Sequence, residues 1–229
     1  MRRRFTVLLA LLGALSGLLC AAPVASSAGA HRPVVLVHGY NADPGVWGSL
    51  AEDLKASGYG DGEIFRWSYD THASVNETLA GQFAAYVDSV RTRTGADQVD
   101  VVAHSFGSLP TRWYLAFGGG TRHVAHMVSL GGPNHGTYTA WACAAWDQAC
   151  RDMSPGSYVQ KHLATGDETP GATRYATFWS TCDEVINPDS SVSLAGAVNT
   201  EAGCLDHNAL LGDDGVSSGV RAFLATVTP

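Results

Sequence analysis

The sequence predicts an α/β domain whose mostly parallel sheet is flanked by helices. Three observations carry that prediction. Short unbroken runs of apolar, β-branched residues read as strands buried on both faces. Stretches of helical periodicity separate successive runs, as crossover helices would. No Pro/Ser-rich linker, internal repeat or low-complexity tract divides residues 31–229. With 45% hydrophobic and only 15% charged residues, the chain can fill a core and is far from a disordered composition.

The first 30 residues are set apart from this domain. Met1-Arg2-Arg3-Arg4 is a charged start, Phe5 to Leu19 is an apolar run of 15 residues, and Ala28-Gly29-Ala30 has the small-x-small form of a signal-peptidase site. A membrane-spanning helix needs about 20 residues, so a cleaved signal peptide over 1–30 reads better than a retained anchor. Cys20 does not suggest a lipoprotein, because Leu19 stands where a small residue is wanted. Three successive arginines are an ordinary n-region rather than a twin-arginine signal. The expected product is a secreted, extracellular protein starting near His31. Losing three arginines and no acid takes the net charge from −7 to −10. With 14 basic against 21 acidic residues in the whole chain, and Lys55 and Lys161 its only lysines, a nucleic-acid partner is excluded.

Pro33–His38 is the first apolar run, and Gly39-Tyr40-Asn41 is the turn that ends it. Trp47, Leu50 and Leu54 follow at helical spacing up to Gly58, and Ile64–Tyr69 alternates as a strand does. Ser74-Val75-Asn76-Glu77 has the form of a capping box. Val75, Leu79, Phe83, Tyr86, Val87 and Val90 then mark one helical face to Gly95. A strand over Val99–His104, a helix from about Phe106 to Phe117 and a strand over Val124–Leu130 repeat the pattern. From Tyr138 to about Gly171 regularity fades and an irregular insertion is expected. Strands near Arg174–Trp179 and Val192–Asn199 and a helix near Ser217–Ala225 complete the domain, 31–229. Asn76-Glu77-Thr78 fits an N-glycosylation sequon but falls at a helix start.

Beyond Cys20 the cysteines are four: Cys143, Cys150, Cys182 and Cys204. An even count in an oxidising compartment implies two disulfides with three possible pairings, of which sequence neighbours, Cys143–Cys150 and Cys182–Cys204, are the simplest. No Cys-x-x-Cys or His-x-x-x-His pair is present, so no metal site is expected. No phosphate loop or dinucleotide motif is present either, and no cofactor is expected.

The chemistry concentrates at Ala103-His104-Ser105-Phe106-Gly107, where a buried strand meets a helix at a serine flanked by small residues. That is the pattern of a nucleophile elbow, whose tight turn exposes the hydroxyl. Ala103 replaces the usual first glycine. A serine hydroxyl needs a base to take its proton, and on this fold the acid and then the histidine follow the serine in chain order. His207 is the histidine that fits. His162 falls inside the insertion, and His38 and His104, at strand ends, read as structural. For the acid, Asp183 after the strand ending at Trp179 ranks before Asp189 and Glu184. Asp206 adjoins His207 and is poorly placed to orient it. A Cys182–Cys204 bridge would tie the acid-bearing loop to the base-bearing loop. The developing oxyanion needs waiting N–H donors. Phe106, first after the nucleophile, and Tyr40, in the Gly39 turn, are the candidates.

These pieces together resemble the small secreted bacterial class 2 lipases, a lid-poor branch of the α/β-hydrolases. Val34–Gly39, the elbow at 103–107, Gly131-Gly132-Pro133-Asn134-His135-Gly136-Thr137, Ser180–Pro188 and His207 carry the resemblance over nearly all of 33–211. The alanine-first elbow is a variant of that branch. The resemblance implies Ser105 as nucleophile, Asp183 as acid, His207 as base, Tyr40 and Phe106 as oxyanion donors, and little or no lid. Phe106 stands where methionine is common, and Pro110 inside the elbow helix is expected to kink it. The implied activity is carboxylic ester hydrolysis through an acyl-enzyme. The implied partners are a small-molecule or lipid ester substrate and transient contact with lipid interfaces, with no obligate protein partner. An acyltransferase or serine peptidase would use the same machinery on another acceptor, and a catalytically silent binding protein would keep only the core. The Trp- and Ala-rich segment Tyr138–Trp146 reads either as an acyl-chain wall or as a loop packed on the core.

Overall fold

The computed structural model describes residues 31–73 and 75–227. The signal peptide expected over 1–30, with Cys20, and the capping-box residue Ser74 lie outside the described residues. Six strands form one sheet: β1 (Val34–Val37), β2 (Ile64–Trp67), β3 (Val99–His104), β4 (Val124–Leu130), β5 (Arg174–Trp179) and β6 (Val198–Glu201), in the order β2-β1-β3-β4-β5-β6. Every neighbouring pair is parallel. The helices are α1 (Gly48–Ala56), α2 (Asn76–Thr94), α3 (Ser108–Phe117), α4 (Gln148–Met153), α5 (Tyr158–Leu163) and α6 (Asp214–Leu224).

The central strands have no polar face because both of their faces are covered. Val34 and Leu36 pack with Leu54 of α1 and Val220 of α6 on one side. Val35 and Val37 pack with Phe83 and Val87 of α2 and Leu109 of α3 on the other. All residues of β1, β3 and β4 are buried. Strand order reverses between β1 and β3, since the chain runs outward to β2 before returning. At such a switch point the loops leaving the two strands diverge and open a crevice at their carboxyl ends. The register Val37↔Ala103 sets the turn after β1 beside the turn after β3.

Four expectations are corrected. The final strand is Val198–Glu201 rather than Val192–Asn199, and Asp189–Val192 is a 3-10 turn instead. Val192 and Leu194 are buried without joining a ladder, because the Asn199 and Asn134 amides take the Leu194 and Val192 carbonyls. The insertion holds two helices, capped by the Asp147 and Ser157 side chains and too short to show helical periodicity. Helix α2 begins at Asn76 with Val75 at its N-cap, and a carboxylate from elsewhere, Asp152, accepts the Asn76 N–H at 3.0 Å. Pro110 sits in the first turn of α3, where its missing N–H has no partner within that helix. Asn76 is fully buried, so the sequon is closed to modification in the folded protein.

Candidate active site

Ser105 ends β3 and begins a single 3-10 turn leading into α3. Its φ is +53°, a left-handed value that only Asn41, at +55°, shares among the described non-glycine residues. Such a turn folds the chain back on itself and requires small neighbours. A Cβ on Gly107 would lie 2.5 Å from the His38 carbonyl oxygen, and one on Gly39 would lie 2.8 Å from the Ser105 Cβ. The elbow and the turn after β1 therefore touch through their glycines.

Asp183 and His207 come from the loops after β5 and β6. His207 Nδ1–H donates to Asp183 Oδ2 at 2.8 Å, with the carboxylate side chain 1% exposed. The other carboxylate oxygen accepts the Val185 and Ile186 N–H groups at 2.9 and 2.8 Å. Three donors thus fix one buried carboxylate, which fixes the imidazole in turn. His207 Nε2 is buried and has no hydrogen-bond partner among the described residues. Ser105 and His207 line one cavity of about 200 Å³ whose other walls are mainly apolar, among them Val46, Met153, Val185 and Leu211.

The competing acids are placed elsewhere. Asp189 Oδ1 accepts the N–H of the next residue, Ser190, and Asp206 lies exposed at the start of the turn that bears His207. Glu184 has a use that sequence did not suggest: its Oε2 accepts the His207 backbone N–H at 2.9 Å. Ser180 links the same two loops, donating to Leu205 O at 2.6 Å and accepting the Leu205 N–H at 2.7 Å. Cys182–Cys204 joins them covalently, and Cys143–Cys150 closes a second bridge in the insertion.

The other histidines are structural. His104 is buried beside the elbow, where its Nε2–H donates to the His207 carbonyl at 3.3 Å. Burial, then repulsion from the His207 ring, pushes its pKa down to about 3, so it stays neutral and adds no competing charge. His38 Nδ1–H donates to Gly39 O at 3.0 Å, and its ring stacks on Tyr69. Burial lowers its pKa as well. His162 Nδ1–H donates to Tyr158 O on the surface of α5.

The Tyr40 N–H has no acceptor among the described residues. Phe106, second in its short turn, has an N–H without an intrahelical acceptor. Both belong to the two touching turns. The insertion contributes Met153 to the cavity wall, and the segment Tyr138–Trp146 packs on the core through Ala140, Cys143 and Ala144 rather than lining the cavity, while Trp141 and Trp146 stand 60% and 74% exposed. Among the described residues no cluster of His, Cys, Asp or Glu is arranged to hold a metal ion, and no helix is long and apolar enough to cross a membrane.

Comparison with known proteins agrees with this architecture. The family described as Lipase (class 2) matches residues 31–201. A stretch of 68 residues is 32% identical to a triacylglycerol lipase of Pseudomonas fragi, covering 30% of this chain and 22% of that one. The mature form of Bacillus licheniformis lipase BlEst2 superposes with a TM-score of 0.75 at 19% identity, over 90% of this chain and 96% of that one. Aspergillus fumigatus lipase B gives 0.74 at 18% identity, over 87% of this chain and 54% of that one. At such identities the superpositions speak for the fold, that of the α/β-hydrolases.

Proposed function

Since this chain belongs to the class 2 lipase family, and is thereby an ester-cleaving hydrolase, we propose that it is a secreted lipase acting through Ser105, His207 and Asp183. The observation that carries the reading is the state of His207: one ring nitrogen is bound to a buried, triply held carboxylate, and the other is unpartnered beside the cavity that Ser105 lines.

In this reading the Ser105 hydroxyl adds to the ester carbonyl as His207 Nε2 takes its proton. Asp183 holds the imidazole in the tautomer that can accept it and stabilises the imidazolium that results. Negative charge then gathers on the former carbonyl oxygen, where the Tyr40 and Phe106 N–H groups receive it, each worth about 10²–10³ in rate. The protonated His207 returns its proton to the departing alcohol, leaving an acyl group on Ser105. A water activated by the same histidine releases the acid. The mainly apolar walls of the cavity suit an acyl chain.

Residues 1–30 act as the signal peptide and 31–229 as the catalytic domain, and the two disulfides suit the oxidising exterior. Tyr138, Trp141 and Trp146 are the groups that would touch a lipid interface, where aromatic rings with a polar edge settle. The test is a series of p-nitrophenyl esters of increasing chain length beside peptide amides, run on wild type and Ser105→Ala. Ester cleavage without amide cleavage, and a loss of about 10⁶-fold in a normally folded Ser105→Ala protein, are expected. Hydrolysis that survives the substitution refutes the assignment.

A further inference from the structure

The first disulfide closes a loop around Asp147, a residue with no part in the chemistry above. Asp147 belongs to the insertion, yet its side chain is only 9% exposed. Its Oδ1 accepts the Cys150 N–H at 3.1 Å, which caps α4. Its Oδ2 accepts the Tyr40 phenol at 3.0 Å and the His72 Nδ1–H at 2.5 Å. His72 reaches further with its second nitrogen, Nε2, which lies 2.5 Å from Asn41 Oδ1, while the Asn41 N–H donates to Thr71 Oγ1 at 3.3 Å. Both residues that follow Gly39 are thus gripped from outside their own turn.

The turn needs such a grip. Asn41 holds a left-handed φ of +55°, a conformation asparagine tolerates but does not prefer, and the His72 contact with its Oδ1 and the Thr71 bond to its N–H favour it here. If Asn41 relaxed, the Tyr40 backbone would move with it, and the Tyr40 N–H must point where an oxyanion will form. An oxyanion donor that drifts loses its advantage, because its value lies in being aimed in advance. Burial, then the adjoining carboxylate, raises the phenol pKa of Tyr40, which keeps it a donor. For Asp147 burial opposes ionisation, but the Cys150, His72 and Tyr40 bonds outweigh it and hold its carboxyl below the usual value. The latch is therefore charge-assisted.

We propose that Asp147, enclosed by the Cys143–Cys150 disulfide, is a positioning residue that aims the Tyr40 oxyanion donor by holding the Tyr40 phenol and, through His72, Asn41. The proposal rests on the hydrolase reading and assigns the first disulfide a role in the reaction. No bond is made or broken at Asp147. Its effect is confined to the state in which the oxyanion exists, so it belongs to kcat and not to substrate affinity.

Tyr40→Phe is the discriminating variant, since it keeps the backbone N–H and the α4 cap and removes only the phenol donor. The expected result is a fall in kcat of about tenfold with KM for a p-nitrophenyl ester unchanged, a fraction of the 10²–10³ lost when an oxyanion donor is removed outright. Affinity for an alkylboronic acid, which forms a tetrahedral, oxyanion-bearing adduct with Ser105, should fall by the same factor. Tyr40→Phe combined with Asp147→Asn should be no slower than the worse single variant, because Asp147→Asn already weakens the bond that Tyr40→Phe removes, along with the His72 arm. Wild-type kcat in a folded Tyr40→Phe protein overturns the latch, as do losses that multiply in the double variant. Ser105→Ala, assayed alongside, separates the two levels: an active Ser105→Ala protein overturns the hydrolase reading itself, whereas an inactive one with Tyr40→Phe at wild-type kcat overturns the latch alone.

Discussion

Acidification should destabilise this protein more steeply than its carboxylates alone would, and His104 is the reason. Its ring is 2% exposed, its Nδ1 has no partner, and its centroid lies 4.7 Å from that of His207. The native pKa is about 3, against 6.5 for the free side chain. Between those values the unfolded chain binds a proton that the native protein refuses, so stability is lost as pH falls below about 6.5 and continues to be lost until about pH 3. Each pH unit inside that window carries up to about 1.4 kcal/mol, so His104 alone removes about 2–3 kcal/mol by about pH 4.5. The assay is urea unfolding at several pH values on wild type and His104→Gln. Glutamine offers an amide N–H where Nε2 stood and cannot titrate. Between about pH 7 and 4.5 the wild type should lose about 2–3 kcal/mol more than the variant. Stability curves that run parallel would show that the buried ring is not held neutral against its titration, and the argument would fail.

Two further outcomes follow from the packing. Replacing Cys182 and Cys204 by serine opens a bridge of sequence separation 22, worth about 3 kcal/mol on the chain-entropy estimate. For a domain of this size that is a fall of about 6–12 °C in Tm by calorimetry. Initial rates measured well below the transition should barely change. The same loops stay joined by Ala202 N–H to Trp179 O, Thr181 N–H to Gly203 O, Ser180 to Leu205, Glu184 to His207 and Asp183 to His207. A folded variant with collapsed turnover would mean that the bridge alone aims His207. Gly107→Ala should cost at least about 1–3 kcal/mol, since its Cβ would meet backbone at 2.5 Å that cannot yield. Gly81→Ala, at an open position on α2, should instead stabilise by about 0.5–1 kcal/mol, and equal melting temperatures for the two would refute the steric account.

The sequence was most legible where burial is complete. Strands β3, β4 and β5 coincide with their expected bounds because each is an unbroken apolar run ended by a turn. β6 was misplaced because apolar residues mark burial rather than pairing: Val192 and Leu194 are buried in a loop, while the paired segment Val198–Glu201 is largely exposed at the sheet edge. In the site, the residues that the strand-turn-helix pattern and chain order nominated are those the folded chain gathers, with Asp183 bonded to His207 and Ser105 on the same cavity. Asp147, His72 and Glu184 were not legible. Their partners lie 107, 31 and 23 positions away, and no local spacing encodes a bond of that kind.

The site is held by two physically different means, and the difference follows from where its residues sit on the sheet. Ser105 and Asn41 are the left-handed non-glycine residues among those described, and they leave the adjacent strands β3 and β1. A strained residue persists only where its surroundings over-determine it. For Ser105 packing does so, because both strands are fully buried and locked in register at Val37↔Ala103, whereas the exposed Asn41 is held by the Thr71 and His72 side chains. Asp183 and His207 stand beyond β5 and β6, at the thinner edge of the sheet where β6 is mostly exposed. The edge strand gives less support there, so a disulfide, backbone bonds and the Glu184, Ser180 and Asp183 side chains hold the loops that bury these two side chains. Ser105 is thus aimed by packing and His207 by cross-links, and a perturbation that frees one need not free the other.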